Sequence, residues 1–407
     1  MHRKRFYAVG KNQLFLLFFI AFLMMLGFGI IIPILPYFAK NLGVNSFMLG
    51  TLFASYNIMQ FLFSPLWGSL SDKIGRKPLI AFGLFGFSIT FILFGMATSY
   101  TEMLVYRIIG GIVSAAGMPT VTAMVADLFP SKERAKGMGM IGAGVGLSFV
   151  FGPAIGGVLG NYGYSVPFFA SGAVALLTFL LVLVALPESL PKEKRTGAIS
   201  REKRGNPLGA LFGSLSLLYF ILFIASFAMA GLETTFALYI ADLYGMSSLE
   251  LGYMFLVMGF VGAFIQGGML GKMVKKLGES KVLVAGLVLY AIGFLTIPLG
   301  SGFWTFAIIL SLFGAGGGMI RATGTAMVTQ RTTQGQGVTT GTISSMDSLG
   351  RILGPLTGGA VYAWQPNAPY LLGGVLMILL LLLYRVRSPY LPEPHPEPEN
   401  EKSPQSA

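Results

Sequence analysis

Twelve stretches of this chain, each about 20 residues or longer and mostly apolar, decide what it can fold into. They run over approximately 14–39, 47–70, 78–98, 101–126, 137–160, 165–187, 210–241, 247–271, 281–300, 303–328, 337–362 and 367–386. About 20 apolar residues wound as a helix cross a bilayer. In lipid, a helix satisfies every backbone N–H and C=O within itself. Charged residues make up only 11% of the 407, and hydrophobic ones 54%, whereas soluble domains carry about 25% charged residues. The expected class is an all-α integral membrane protein with twelve transmembrane helices. The first stretch is too long for a cleavable signal and lacks a small-residue cleavage site, so it is expected to remain as the first helix. There is no Cys, which excludes disulfides and thiol chemistry.

The formal net charge of +12 invites a nucleic-acid reading, but the distribution of the charge argues for topology instead. With the N-terminus in the cytoplasm, 24 of the 28 Lys and Arg fall on cytoplasmic segments, and the outer loops hold only Lys40. This is the positive-inside pattern. The expectation is a multi-pass protein of the cell membrane with both termini cytoplasmic, a lipid bilayer around it and no nucleic-acid partner.

The apolar pattern breaks at Glu188 to Pro207 with Pro, Lys, Arg and Glu. We therefore expect an N-terminal six-helix bundle over 1–187, a cytoplasmic linker over 188–208, a C-terminal six-helix bundle over 209–386 and a disordered tail over 387–407. The two halves repeat each other weakly. Thr122-Ala123-Met124-Val125 recurs as Thr325-Ala326-Met327-Val328, and Gly152-Pro153-Ala154-Ile155-Gly156-Gly157 recurs as Gly354-Pro355-Leu356-Thr357-Gly358-Gly359. Parallel repeats of this kind build two bundles around a central site near the membrane midplane.

Between the second and third stretches lies Gly68-Ser69-Leu70-Ser71-Asp72-Lys73-Ile74-Gly75-Arg76-Lys77. It packs two glycines and four charged side chains into one tight connection. The run resembles the loop between helices 2 and 3 of major facilitator superfamily transporters, and matches that pattern throughout. Gly27, Gly29 and Ile31-Ile32-Pro33-Ile34-Leu35-Pro36 on the first stretch resemble the twelve-helix drug:proton antiporters, the multidrug and tetracycline efflux branch. Gly139, Ser148, Gly152-Pro153 and Gly156-Gly157 are similar to the superfamily's antiporter motif, with Ser148 in place of a glycine. Gly152 and Gly156 share a helix face, as do Gly354 and Gly358, and such rows let backbones approach closely. Pro153 and Pro355 each remove a backbone donor. A degenerate copy of the charged loop spans Gly271 to Lys281, with Lys275 where Asp72 stands. The resemblance implies the major facilitator fold of two pseudo-symmetric six-helix bundles. It also implies a cytoplasmic gate built from Gly68, Asp72, Gly75, Arg76, Lys77, Asp127 and Arg134. Read without the resemblance, these charges are a solvated surface network worth little individually.

Few acids lie within the apolar stretches. Glu233, in Ala230-Gly231-Leu232-Glu233-Thr234-Thr235-Phe236, has no basic residue within a turn of its own helix. Burial in low dielectric disfavours a lone carboxylate, so Glu233 can take up a proton and is the preferred proton carrier. Asp347 has Arg351 four residues on, on the same face, and is expected to stay ionised as a structural pair. It is the second candidate for proton coupling. Related exporters often carry an acid near Arg321, where this chain has Gly318. Arg107 matches the family's helix-4 Arg, which the resemblance links to proton transfer; a structural Arg is the alternative. Met25, Phe28, Tyr56, Gln60, Phe149, Phe227, Glu233, Phe236, Met319, Arg321 and Arg351 are the expected cavity wall, where Met and aromatic side chains adapt to varied ligands.

The reading is a proton-coupled exporter of amphipathic, cationic small molecules working as a monomer by alternating access. It is expected to need no cofactor and to draw on the proton gradient. A lipid or metabolite carrier of the same fold is the alternative. A membrane enzyme is the remote one, because there is no metal-ligand cluster, no buried carboxylate pair is close in sequence, and the two His residues, His2 and His395, are terminal.

Overall fold

The computed structural model describes residues 2–129, 131–191, 195 and 213–393. The proposed linker over 188–208 lies mostly outside the described residues, as does the tail from 394 on. In the first half the helices are α1 (His2–Ile31), α2 (Leu35–Asn41), α3 (Ser46–Ile74), α4 (Arg76–Gly95), α5 (Tyr100–Ser114), α6 (Gly117–Leu128), α7 (Ser131–Gly160) and α8 (Val166–Ala185). In the second half they are α9 (Ser216–Tyr244), α10 (Ser248–Phe264), α11 (Leu270–Leu277), α12 (Glu279–Thr296), α13 (Phe303–Arg331), α14 (Gln336–Trp364) and α15 (Ala368–Arg387). Among the described residues, eleven helical stretches are long and apolar enough to cross a membrane. The twelfth, α14, spans 29 residues but carries Asp347, Arg351 and many Ser and Thr, so it is less apolar than the others.

Three of the twelve expected spans are interrupted. The first breaks after Ile31, where Pro33 and Pro36 withhold backbone donors and disfavour helix in the residues before them. The fourth breaks at Ala115–Ala116, ahead of Gly117 and Pro119. The eighth passes through a wide turn over Ile265–Met269, which holds Gly267 and Gly268, before resuming as α11.

Within the first half α1 packs on α7, and α4 on α8; within the second, α9 packs on α14, and α12 on α13. The glycine rows explain the close approach. A Cβ on Gly152 would stand 2.8 Å from Gly29 Cα, and a Cβ on Gly358 would stand 3.0 Å from Gly231 Cα. The halves meet along two equivalent seams, α3 with α14 and α10 with α7. Ser46 and Gly50 face Gly359 and Pro355 across one seam; Ser248 and Gly252 face Gly157 and Pro153 across the other. Each residue of the second set lies 202 positions from its counterpart in the first.

Candidate functional site: the cavity between the halves

Both seams lie at the end of the molecule away from the α3–α4 turn. At that far end Lys40 of α2 pairs with Asp242 of α9, and Tyr362 of α14 donates to the other Asp242 oxygen at 2.9 Å. Tyr37 donates to the Met246 carbonyl at 3.1 Å. Lys40–Asp242 is the ion pair that joins the two halves among the described residues. The halves are thus sealed at the far end by backbone contact, the Tyr37–Met246 hydrogen bond and one charge pair.

Below the seal the halves part around a cavity of about 670 Å³. Met138, Ile141, Gly142, Val145 and Phe149 of α7 form one wall, and Ser226, Met229, Ala230 and Glu233 of α9 stand in the second half. These α9 positions recur every three or four residues, so they share one helix face. Met258 and Gln266, Tyr290, Gly318, Arg321 and Thr325, then Ile343, Asp347 and Arg351 belong to the second-half lining as well. Met138, Gly142 and Arg321, toward the α6–α7 and α13–α14 connections, are exposed. The cavity therefore opens toward the end that carries the charged loops.

Its charges form one constellation. Asp347 Oδ1 accepts from Arg321 Nη2 at 2.7 Å and from Ser226 Oγ at 2.6 Å, and Asp347 Oδ2 accepts from Arg351 Nε at 3.3 Å. The expected Asp347–Arg351 pair is thus widened by a second arginine from α13 and a serine from α9. Glu233 is half-buried on the same cavity wall and makes no hydrogen bond or ion pair with a described residue.

Of the cavity wall expected from sequence, Phe149, Glu233, Arg321 and Arg351 line this space. Phe28 stacks on Tyr56 at 5.7 Å inside the first half, where Gln60 donates to Ser114 Oγ at 3.3 Å. Met25 packs against the first-half core. Phe227 lies beside Gly231 and Gly354, about 100° around α9 from the Ser226 face. Phe236 is fully buried among Phe306, Tyr239 and Tyr370, and Met319 is buried. These residues stand outside the cavity in this conformation. Arg107 does too. Its guanidinium sits within 6.0 Å of the ring centroids of Phe53, Tyr56, Phe91 and Phe94, its Nε has no acceptor, and it has no ion-pair partner among the described residues. Attraction to ring faces compensates part of the cost of burying the charge. Tyr290, Gln266 and the methionines Met118, Met138, Met229 and Met258 are cavity residues that sequence reasoning did not single out.

At the charged loop, Gly75 takes φ +109°, a backbone conformation that side chains resist. It turns the chain sharply from α3 into α4. Buried Arg76 then reaches Asp72 at 2.7 Å and Asp127, at the end of α6, at 2.9 Å. Glu188 caps α4 by accepting from the backbone N–H groups of Arg76 and Lys77 at 2.9 and 3.2 Å. Lys77 Nζ donates to the Leu183 carbonyl at 2.8 Å. Arg134 stays out of this cluster, donating instead to the carbonyls of Ala126 and Phe129. A Cβ on Gly68 would meet nothing. The second half holds an inverted copy: Gly278 takes φ +83° at the α11–α12 turn, and Glu279, in the place of Arg76, pairs with Arg331 at the end of α13 at 3.4 Å.

The sequence profile of the Major Facilitator Superfamily matches residues 17–278 and 267–406. Multidrug resistance protein 2 of Bacillus subtilis (strain 168) is 35% identical over 372 residues, covering 90% of this chain and 92% of its own. Quinolone resistance protein NorA of Staphylococcus aureus is 30% identical over 388 residues, covering 93% and 98%. Among solved structures, the human organic anion transporter MFSD10 (TETRAN) superposes with a TM-score of 0.67 at 27% identity, covering 92% of this chain and 99% of its own. The nucleoside transporter NupG shares the fold with a TM-score of 0.72 at 15% identity, covering 93% and 99%. Two repeated bundles around one charged, methionine-lined cavity agree with these likenesses: the chain belongs to the Major Facilitator Superfamily, as a multi-pass membrane transporter and not an enzyme.

Proposed function

We propose that this transporter exports small amphipathic compounds, cations among them, in exchange for protons, as a monomer without a cofactor. The observation that carries this reading is the Glu233 carboxyl, without a hydrogen-bond or ion-pair partner among the described residues, in a largely apolar, Met-rich cavity next to an Asp347 already held by two arginines. A carboxylate with no fixed partner can bind either a proton or a cationic group, and competition for one site is what exchange requires. The relatives named for multidrug and quinolone resistance support an export role. With the termini cytoplasmic, as the Lys and Arg distribution indicates, the cavity faces the cytoplasm and the two glycine seams close the outer side. Everted vesicles should then take up several lipophilic cationic dyes when a proton gradient is imposed, and an uncoupler should abolish that uptake. Dye transport absent across a broad panel, with lipid or metabolite transport present, would favour the same-fold carrier.

In this reading the Asp72–Arg76–Asp127 cluster belongs to the cytoplasmic gate. Asp72 is half-exposed and Arg76 is buried, so removing the Asp72 charge should leave the fold intact while altering the switch between states. Asp72→Asn is expected to slow turnover about tenfold, equal to about 1.4 kcal/mol in the barrier, with nearly normal ligand binding. Wild-type turnover from a normally inserted variant would refute the gate role.

A further inference from the structure

Arg321, Asp347, Arg351 and Glu233 are the ionisable cavity-lining groups other than Tyr290, and their charges do not serve a simple cation well. With both acids ionised, two positive and two negative side chains cancel. A cation seated on Glu233 neutralises that carboxylate and leaves two guanidinium groups against Asp347 alone, an excess of one positive charge in a site partly screened from water. One carboxylate on the same ligand would restore neutrality.

The geometry supplies a place for it. Arg321 uses Nη2 on Asp347, its side chain is 59% exposed, and its remaining donors have no partner among the described residues. Arg351 uses Nε on the other Asp347 oxygen and is 32% exposed. Asp347 thus holds two guanidinium groups from neighbouring helices, each with planar N–H donors left over. Ser226 fixes Asp347 from the third side. Guanidinium forks of this kind accept a carboxylate through parallel charge-assisted hydrogen bonds, which an ammonium point charge cannot reproduce. The exchange reading uses the two arginines only to hold Asp347, so their remaining donors are free for a ligand.

We propose that Arg321 and Arg351, held by Asp347, form a carboxylate-binding subsite, so that the cavity prefers zwitterionic amphiphiles whose ammonium group lies toward Glu233 and whose carboxylate lies on the arginine pair. The proposal rests on the assignment of this cavity as the transport site. It predicts a ligand with its two charges separated by an aromatic or aliphatic body that packs on Phe149, Met229 and Met258.

The test compares one aromatic scaffold carrying an ammonium at one end and a carboxylate at the other with its methyl ester, which keeps only the cation. Equilibrium binding to the purified full-length protein is measured at neutral pH. Wild type should bind the zwitterion about tenfold tighter than the ester, as expected for one charge-assisted bidentate contact. In Arg321→Gln that ratio should fall toward one, and Arg321→Lys, which keeps the charge without the fork, should fall between. A wild-type ratio of one or below overturns the proposal without any variant. So does an Arg321→Gln protein in which both ligands weaken alike, because that marks a purely structural arginine. Zwitterion binding that depends on Arg321 supports the subsite even where neither compound is exported, and that outcome would overturn the export reading alone.

Discussion

Glu233→Gln is expected to abolish proton-driven efflux of cations, at least about a hundredfold in rate, or about 2.7 kcal/mol. The amide has the shape of the protonated acid but can neither release a proton nor carry a charge. Because Glu233 makes no hydrogen bond or ion pair with a described residue, the substitution breaks no packing contact that a charge was holding. Expression and thermal stability should therefore stay near wild type. Moving a bare charge through the closed, lipid-flanked state costs on the order of several kcal/mol, and a protonated or amide side chain escapes that cost. The variant should accordingly retain downhill movement of neutral compounds while losing uphill movement of cations. Uphill cation efflux at the wild-type rate in everted vesicles would remove Glu233 from the mechanism.

The second large effect concerns the seal. A Cβ on Gly252 would stand 2.6 Å from the Pro153 carbonyl oxygen and 3.0 Å from Gly157 Cα. Both obstacles are backbone of the opposite half, so no rotamer change can relieve them; the halves themselves must separate. Overpacking inside one bundle typically costs about 1–3 kcal/mol, but here the strain falls on the contact between two bodies that must part in every cycle. Gly252→Leu is expected to insert normally, to lose transport and to hold the far end open. Gly50→Leu, at the equivalent place opposite Pro355, should behave alike. The chain has no cysteine, so a single Ile34→Cys reports the state cleanly. Ile34 is fully buried beside Gly160 at the seal. A membrane-impermeant maleimide should label it quickly in the Gly252→Leu background and slowly in the parent. Unchanged labelling with wild-type transport would show that the seams do not govern closure.

Different parts of this arrangement were legible in the sequence to different depths. The helices follow from the length and apolarity of the segments, and the Gly75 turn follows from a loop too short and charged to be anything but a sharp corner. The glycine row from Gly152 to Gly157, with its copy from Gly354, marked where backbones meet. What it could not give was the partner, because one row packs within its half through Gly152 and Gly354 and across the halves through Gly157 and Gly359. The other side of the seam had a signal too. Ser46-Phe47-Met48-Leu49-Gly50 recurs as Ser248-Leu249-Glu250-Leu251-Gly252 at the same offset, and it was hidden by the unlike residues between. Asp347–Arg351 was readable from a spacing of four on one helix. Arg321 joins them only because α13 packs near α14, a contact across 26 residues that no local pattern reports. Phe236 illustrates the opposite failure. It lies three residues from Glu233, on nearly the same helix face, yet one turn nearer the seal, where Phe306 and Tyr370 enclose it. Depth along a helix, unlike facing, leaves no periodic trace. The second-half loop read as degenerate because Lys275 replaces an acid; its ion pair is instead inverted, Glu279 to Arg331.

The central claim is that substrate and proton compete for Glu233. The most direct measurement is proton release when a cationic substrate is added to the detergent-solubilised protein in weak buffer, followed across pH. The account predicts release from wild type wherever Glu233 is protonated before binding, fading as the pH rises and the site empties of protons, and no release from Glu233→Gln at any pH. Release from Glu233→Gln equal to that of wild type would contradict the account and make Asp347 the next candidate for the proton carrier.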